Sequence, residues 1–272
     1  MSSSPDSPPL HCVEAATPLH SSLLWPLQQA WHAAHGGSMS VWTDSSTPLF
    51  ATSNSFIASA YARVILGLLR DWFQGIPGGG AAAAAPPAAR DEPVRVLEVG
   101  AGHGRLAFLV LRELWGLEEH WPEVPAQHAA RFAGVRGAAG RPCPFRFIVS
   151  DIMGACVGFW EAHECLAPFL QAGVLELAVL DVTRSPPSCV LRPSGATLAP
   201  GSLASPLVVL ANYVFNTLQH DLVRLEQGAL LQAKAAIFSP NAADAAAKAD
   251  SLDPAIISRM RLVWSYEPLA DR

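Results

Sequence analysis

The fold of this chain is decided by one stretch, Val94-Arg-Val-Leu-Glu-Val-Gly-Ala-Gly-His-Gly-Arg-Leu-Ala-Phe108. It predicts a short strand rich in β-branched residues, a turn with glycines at 100, 102 and 104, and an apolar-periodic helix. Such a turn lets the backbone approach a bound molecule and directs a helix N-terminus toward it. The stretch is therefore typical of a site for a nucleotide-like cofactor.

The stretch differs from the dinucleotide fingerprint G-x-G-x-x-G in two ways. Arg105 stands where the third glycine would be, and an acidic residue, Glu98, lies just before the first glycine. A carboxylate at this turn repels a pyrophosphate and favours a cation. The pattern therefore favours a positively charged, adenosine-like cofactor. A nucleotide-dependent dehydrogenase and a tight turn without any ligand stay open as alternatives.

Residues Leu97 to Gly104 resemble the first motif of the class I S-adenosylmethionine-dependent methyltransferases, (V/I/L)-(L/V)-(E/D)-x-G-x-G-x-G, and match it throughout. The resemblance implies S-adenosyl-L-methionine as the cofactor. Gly100, Gly102 and Gly104 would admit it because they lack a Cβ. Glu98 would offset its ammonium or sulfonium charge, directly or through water. His103 is interpreted as a turn residue rather than a catalytic base.

Composition limits the other classes of function. Of the 272 residues, 50% are hydrophobic and 15% are charged, which predicts one sizeable α/β core with an accessory segment. The net charge of −5, without a dense basic block, disfavours nucleic acid as the main partner. No apolar stretch approaches the ~20 residues of a membrane-spanning helix. The five cysteines form no C-x-x-C pair, and the histidines show no metal-ligand spacing, so we expect reduced thiols and no metal site.

Low-complexity sequence divides the chain. The Gly/Ala/Pro-rich residues 78–92 predict a flexible linker, with a disordered start over 1–18, a helical extension over 19–77 and the cofactor-binding core over 93–272. The start lacks the features of a secretory or transit signal, so we expect a cytoplasmic protein. Within the extension, helices are predicted over 19–35 and 56–73. Residues 43–61 could form a lid over the cofactor, or belong to a helix pair packed on the sheet.

After the linker, strands and helices alternate, which predicts a Rossmann-like α/β fold with a mainly parallel sheet and helices on both faces. Within this region, residues 119–144 are predicted to form an exposed insertion. After it, the sequence predicts a helix over 221–236, a loop over 239–255 and a strand over 256–266. The full class I sheet has seven strands, so the resemblance also leads us to expect a chain that is incomplete at its C-terminus. The predicted strands are 94–99, 145–150, 175–180 and 206–211, and the predicted helices between them are 104–117 and 154–171.

Two aspartates follow the second and third predicted strands. Ligands in such sheets bind beyond the carboxyl ends of the strands. The resemblance implies that Asp151 accepts hydrogen bonds from the two ribose hydroxyls and that Asp181 contacts the adenine amino group. Each has an alternative: Asp151 could cap the following helix, and Asp181 could form a turn before Thr183.

The end of the fourth predicted strand, Leu210-Ala-Asn-Tyr-Val-Phe-Asn-Thr-Leu-Gln-His-Asp221, occupies the family's fourth motif. The resemblance implies that Asn212 and Tyr213 face the methyl acceptor. The segment also resembles a motif of the MidA-like methyltransferases, but Tyr213 stands where that motif has Glu and Asn216 where it has Asp. The missing carboxylates disfavour a guanidinium as acceptor. We therefore expect a methyltransferase acting on an unidentified small molecule or protein, with a catalytically silent binding or assembly protein as the alternative.

Overall fold

The computed structural model describes residues 9–34, 49–74, 92–124, 132, 134–246 and 253–269. The predicted linker, apart from Glu92, and the first part of the predicted lid lie outside the described residues. The chain forms two compact units, Met1–Gly37 with Asn216–Arg272, and Ser38–Phe215. The helices predicted over 19–35 and 56–73 therefore belong to different units, although the sequence groups them in one extension.

The secondary structure consists of short strands and mostly short helices. In chain order, the strands are β1 (His11–Pro18), β2 (Val94–Glu98), β3 (Phe145–Asp151), β4 (Leu175–Val179), β5 (Cys189–Val190), β6 (Thr197–Leu198), β7 (Leu207–Leu210), β8 (Val223–Glu226), β9 (Ala229–Ser239) and β10 (Arg261–Pro268). The α-helices are α1 (Leu24–Ala34), α2 (Leu49–Thr52), α3 (Ser55–Gln74), α4 (Arg105–Gly116), α5 (Gly154–Ala162), α6 (Ala167–Gln171) and α7 (Ala242–Ala246). Short 3-10 helices span Leu19–Ser21, Glu118–His120 and Pro254–Ser258.

The larger unit contains a parallel four-stranded sheet in the order β4-β3-β2-β7. β2 lies between its two partners, so that Val96 is opposite Phe147 on one side and Val208 on the other. Helices flank this sheet, and the predicted Rossmann-like α/β class is confirmed. Because all four strands run in the same direction, their carboxyl ends lie at one edge.

Helix α3 packs against α4 in the core of the larger unit. Its apolar residues recur every four positions, as the sequence predicts, and the side-chain oxygen of Asn54 accepts the Ile57 N–H at 2.9 Å in the first turn. The buried stripe includes Ile65 and Leu69, which lie in the same core as Leu111 of α4. The predicted helix over 56–73 is confirmed, with the observed bounds one residue wider at each end.

The smaller unit contains an antiparallel sheet in the order β1-β9-β10, with β8 also paired to β9. Leu27 of α1 packs with Ile237 of β9 and with Ile256 to form its core. The expectation of a disordered start is wrong for residues 11–18, which form β1. The sequence shows no strand signal there because β1 depends on its hydrogen bonds to β9, far along the chain.

The helix predicted over 221–236 is also wrong, because this segment is the β8–β9 hairpin. Its turn places Gln227 at φ 50° and Gly228 at φ 83°, the two positive values that a tight hairpin turn requires. The apolar residues of the segment fit a helical period as well as an alternating one, and Gln-Gly is a weaker turn signal than Asn-Gly.

Three further boundaries differ from the prediction. The helix expected over 154–171 is interrupted at His163, whose ψ of 118° is extended, and divides into α5 and α6. The loop expected over 239–255 contains α7, and the strand expected from 256 begins at Arg261.

The segment 119–144 is not the wholly exposed insertion that its composition suggests. Its described part buries Trp121, Phe132 and Cys143 in the core of the parallel sheet. The carboxylate of Glu118 holds the segment in place, because it accepts the N–H groups of Ala139 at 2.7 Å and Arg141 at 3.0 Å. In the described part of the chain, no helix combines the length and the apolar character needed to cross a membrane.

The hairpin turn provides a test of the β8–β9 assignment. Replacing Gln227 by glycine should stabilise the chain by about 0.5–1 kcal/mol, because glycine adopts a positive φ without the strain that a side chain causes. Replacing the neighbouring Gly228 by alanine should destabilise it by about 1–2 kcal/mol for the same reason. Urea unfolding of both variants measures the two opposite shifts. If 221–236 were a helix, the signs would be reversed, since alanine favours a helix and glycine disfavours it.

Candidate functional site

The glycine turn after β2 is held between the ends of β7 and β3. Its three glycines all have left-handed backbones, with φ of 64° at Gly100, 57° at Gly102 and 76° at Gly104. The N–H of Val99 donates to the Leu210 carbonyl at 2.9 Å, and the N–H of Ala101 donates to the Ser150 carbonyl at 3.0 Å. The turn therefore has a fixed position at the carboxyl edge of the sheet, where a ligand is expected.

Asp151, the last residue of β3, is bonded directly to the glycine turn. Its Oδ2 accepts the Gly102 N–H at 2.9 Å, and its Oδ1 accepts the Met153 N–H at 3.0 Å. The capping alternative is not what the structure shows, because α5 has no side-chain cap. Burial raises the pKa of Asp151, while the N–H groups of Met153 and Gly102 act in the opposite direction. Each carboxylate oxygen has two lone pairs, so the group can still accept ligand hydroxyls.

Glu98 is the most unusual group of the site. It is 3% exposed, and its Oε2 is buried without a hydrogen-bond partner among the described residues. Burial, together with the charge of Asp151, raises the pKa of Glu98 to about 8. Near neutral pH this carboxyl is mostly protonated unless a cation approaches it. An unpartnered acidic oxygen beside a turn with three glycines fits a cationic ligand group, so the residues present fit the cofactor that the motif implies.

Gly104 is required by a contact that the sequence does not predict. A Cβ at this position would lie 2.7 Å from Nε1 of Trp160, a fully buried side chain of α5. The indole N–H also has no hydrogen-bond partner in the described part of the chain. The Trp160 side chain thus packs against the N-terminus of α4. No local pattern marks it, since in the sequence it is one apolar residue of an apolar helix.

His103 lies within the turn and behaves as a turn residue. Its Nδ1 accepts the Arg105 N–H at 3.3 Å. Burial lowers the pKa of His103, and the charge of Arg105 lowers it further. A neutral ring that accepts a backbone N–H is consistent with the interpretation made from the sequence.

The structure does not join Asp181 to the glycine turn. Its Oδ1 accepts the hydroxyl of Thr183 at 2.6 Å and the N–H of Thr183 at 3.0 Å, and its Oδ2 accepts Nε of Arg184 at 3.2 Å. The hydrogen bonds from Thr183 lower the pKa of Asp181, and Arg184 adds to this effect. These contacts form the turn that the sequence offers as the alternative. The adenine contact stays a prediction.

The segment after β7 contacts the rest of the site through backbone and apolar groups. Nδ2 of Asn212 donates to the Thr52 carbonyl at 2.7 Å, which fixes the end of α2. Tyr213 has φ of 58° and is 60% exposed, an uncommon backbone state for a bulky residue and typical of functional positions. Val214 packs against the turn, because a Cβ at Gly100 would lie 3.0 Å from its side chain. Asn216 belongs to the other compact unit and is exposed.

Two surface cavities lie elsewhere. One, of about 660 Å³, is lined by Arg70, Trp121 and Arg141 among others, and one of about 340 Å³ in the smaller unit is lined by Trp25, His220 and Trp264 among others. Neither includes a residue of the glycine turn. In the described ranges, no three His, Cys, Asp or Glu side chains gather as metal ligands would.

Comparison with known proteins gives two distant structural similarities. No family model matches the chain, and no curated protein matches it. An uncharacterised COG1565 superfamily protein from Burkholderia thailandensis is 16% identical, with a TM-score of 0.41, over 94% of this chain and 44% of that one. A suspected methyltransferase of the same superfamily and organism, bound to S-adenosyl-homocysteine, is 18% identical, with a TM-score of 0.36, over 80% of this chain and 36% of that one. The chain thus spans less than half the length of either protein.

The contact between Gly104 and Trp160 predicts a specific loss of stability. Gly104→Ala should cost about 1–2 kcal/mol for the left-handed backbone and about 1–3 kcal/mol more for the overlap with the indole. Gly140→Ala is the matched control, since Gly140 has φ of 83° and no atom within 4 Å of its Cβ position. Urea unfolding should show a larger loss for position 104 than for position 140. Equal losses would contradict the packing role of Trp160.

The raised pKa of Glu98 predicts how stability depends on pH. The folded state holds the proton more tightly than the unfolded state, since the pKa rises from 4.5 to about 8 on folding. The resulting stabilisation is fully present below pH 4.5 and is lost as the pH rises through about 8, at no more than about 1.4 kcal/mol per pH unit. Glu98→Gln has no proton to lose. Urea unfolding should therefore show that the stability of the variant, relative to the unmodified chain, increases as the pH rises from about 5 to about 8. A difference that is constant over this range would contradict the assignment.

Proposed function

We propose that this chain is an S-adenosyl-L-methionine-dependent methyltransferase whose cofactor binds at the glycine turn. The observation that carries the proposal is the buried, unpartnered carboxyl of Glu98 directly before a turn of left-handed glycines. A cation beside this group would restore its charge, and the unpaired Oε2 would gain a partner. The cofactor's methionine end carries such a cation.

We expect the rest of the cofactor to contact residues at the ends of neighbouring strands. Gly100 and Gly102 leave room for the cofactor, and Gly104 begins the helix whose N-terminus faces the site. Asp151 would accept the ribose hydroxyls with the lone pairs that Gly102 and Met153 do not use. Asp181 would contact the adenine at the end of the adjacent strand β4, after some rearrangement of its own turn.

A dinucleotide fits this turn less well. Pyrophosphate recognition needs backbone N–H groups that are available at the turn. The Gly102 N–H already donates to the Asp151 carboxylate at 2.9 Å, and Glu98 adds a second acidic group beside it. The Asp151 carboxylate repels a phosphate, and a phosphate would keep Glu98 neutral, whereas a cation is attracted by Asp151 and allows Glu98 to ionise.

The chain's own residues would act mainly by position. When bound, the cofactor would supply a methyl group on a sulfonium sulfur, which would leave as the neutral thioether of S-adenosylhomocysteine when the acceptor takes the methyl carbon. Methyl transfer of this kind depends on alignment and on the exclusion of water. We propose that Tyr213, with its exposed hydroxyl, and Asn212, through its amide oxygen, contact the acceptor. Neither can hold a guanidinium as a carboxylate does. The acceptor would be a small molecule or protein group other than a guanidinium.

A catalytically silent binding or assembly protein is the second candidate. The amide of Asn212 favours it, because Nδ2 is committed to the Thr52 carbonyl and holds α2 instead of a substrate. Such a protein would bind the cofactor and leave its methyl group in place. Incubation with S-adenosylmethionine labelled in the methyl group, in cell extract heated to inactivate its own enzymes, separates the two: label transferred by the unmodified chain and not by Gly102→Val excludes the silent protein.

Calorimetry tests the cofactor site. S-adenosylhomocysteine, which carries the ammonium, should bind, and Gly102→Val should abolish binding while thermal unfolding remains cooperative. Glu98→Gln should weaken S-adenosylhomocysteine about tenfold or more, as expected for a lost charged contact. The same variant should leave the affinity for methylthioadenosine, which lacks the amino acid, unchanged.

Below about pH 8, binding of S-adenosylhomocysteine should also release a proton from Glu98, so the measured heat will depend on the buffer. No heat with S-adenosylhomocysteine, together with heat from NAD, would overturn the proposal in favour of a dehydrogenase.

A further inference from the structure

Strand β10 lies at an edge of the antiparallel sheet. β10 pairs with β9 over its whole length, from Arg261 opposite Phe238 to Pro268 opposite Leu231, without a bulge. No strand in the described ranges pairs with its other side. The strand is eight residues long, and Val263, Trp264 and Tyr266 are 45%, 39% and 38% exposed. Long, apolar, unpaired edges of this kind invite pairing with another chain.

The register shows which backbone groups are available on this edge. The N–H of Leu269 donates to the carbonyl of Leu230, the residue directly opposite it in the continuous register. In an antiparallel pair, such bonded positions alternate along the strand. The odd-numbered residues therefore point their N–H and C=O groups toward β9. The N–H and C=O groups of Leu262, Trp264 and Tyr266 point away from β9, toward the unpaired side of the strand. Pro268 has no N–H, so the series of outward-pointing N–H groups ends before it.

The sequence of the strand is complementary to itself in one register. If two copies of β10 run antiparallel with Trp264 on the two-fold axis, Trp264 lies opposite its own counterpart and Leu262 lies opposite Tyr266. Each outward N–H then meets an outward carbonyl. The same register places Arg261 opposite Glu267, and these are the two charged residues of the strand. Glu267 already binds Nζ of Lys234, so the pairing would surround one acidic group with two basic ones.

We propose that β10 is a homodimer interface, through which the antiparallel sheets of two copies join edge to edge about Trp264. The interface combines backbone hydrogen bonds from three residues of each copy with two symmetric Arg261–Glu267 pairs. Registers shifted so that Trp264 lies opposite Leu262 or Tyr266 pair fewer residues of the strand and no longer place Arg261 opposite Glu267, so these two charges favour the register with Trp264 on the axis.

Sedimentation velocity tests the proposal on the full chain. The unmodified chain should show a reversible dimer. Trp264→Lys should weaken it about tenfold or more, since each lysine meets its own counterpart on the axis. Leu225→Lys adds the same charge at a 71% exposed position of β8, which pairs with the other side of β9, and should leave dimerisation unchanged. Arg261→Glu should weaken the dimer about tenfold, and the double variant Arg261→Glu/Glu267→Arg should restore it. Circular dichroism checks that each variant is folded.

Hydrogen exchange tests the register directly. The amides of Leu262, Trp264 and Tyr266 should exchange more slowly as the protein concentration rises. Those of Val263 and Ser265, bonded to β9, should be protected at every concentration. A chain that stays monomeric at the highest concentration it tolerates would overturn the proposal. A dimer that is indifferent to Trp264→Lys and to the charge swap would overturn it too, because another face would then be responsible.

Discussion

The hydrogen bond from the Gly102 N–H to Asp151 Oδ2, at 2.9 Å, is the constraint on which the site depends. It joins the turn after β2 to the end of the neighbouring strand β3. Parallel pairing brings the two strand ends to one edge, and this bond then fixes the left-handed glycines against them. It also holds a second carboxyl group near Glu98. The proposed preference of the turn for a cation therefore rests on the connection between two strands and not on the glycines alone.

Folding and binding make opposite demands on this turn. Burying Glu98 Oε2 and Trp160 Nε1 without partners costs free energy, about 1–3 kcal/mol for each polar group left unsatisfied. Native structures contain few such groups, and those that remain are concentrated at functional sites. The raised pKa reduces the cost at Glu98, because the carboxyl can stay neutral until a cation arrives. A ligand that supplies this cation would then stabilise the folded chain by mass action.

The sequence predicts the centre of the site well because its signals there are local. β2, the glycine turn and α4 lie within one residue of their predicted bounds, since β-branched residues, positive φ and helical periodicity all act over a few neighbours. The position of Asp151 follows from the same reasoning, because strand ends meet at one edge. Trp160 could not be predicted. Its contact with Gly104 depends on how α5 packs under the turn, and no spacing in the sequence records this.

The smaller unit shows the converse case, in which distant pairing overrides local preference. β9 contains Ala233 and Ala235, and alanine is the strongest helix former. Both are fully buried in a strand, because β9 has partners on both edges and each of its backbone groups gains more from them than from a helix. The bulkier residues Trp264 and Tyr266 lie on the partner strand β10, where they are partly exposed at an unpaired edge. The pairing that decides the fold of β9 is thus the same physical interaction that β10 can offer to a second chain.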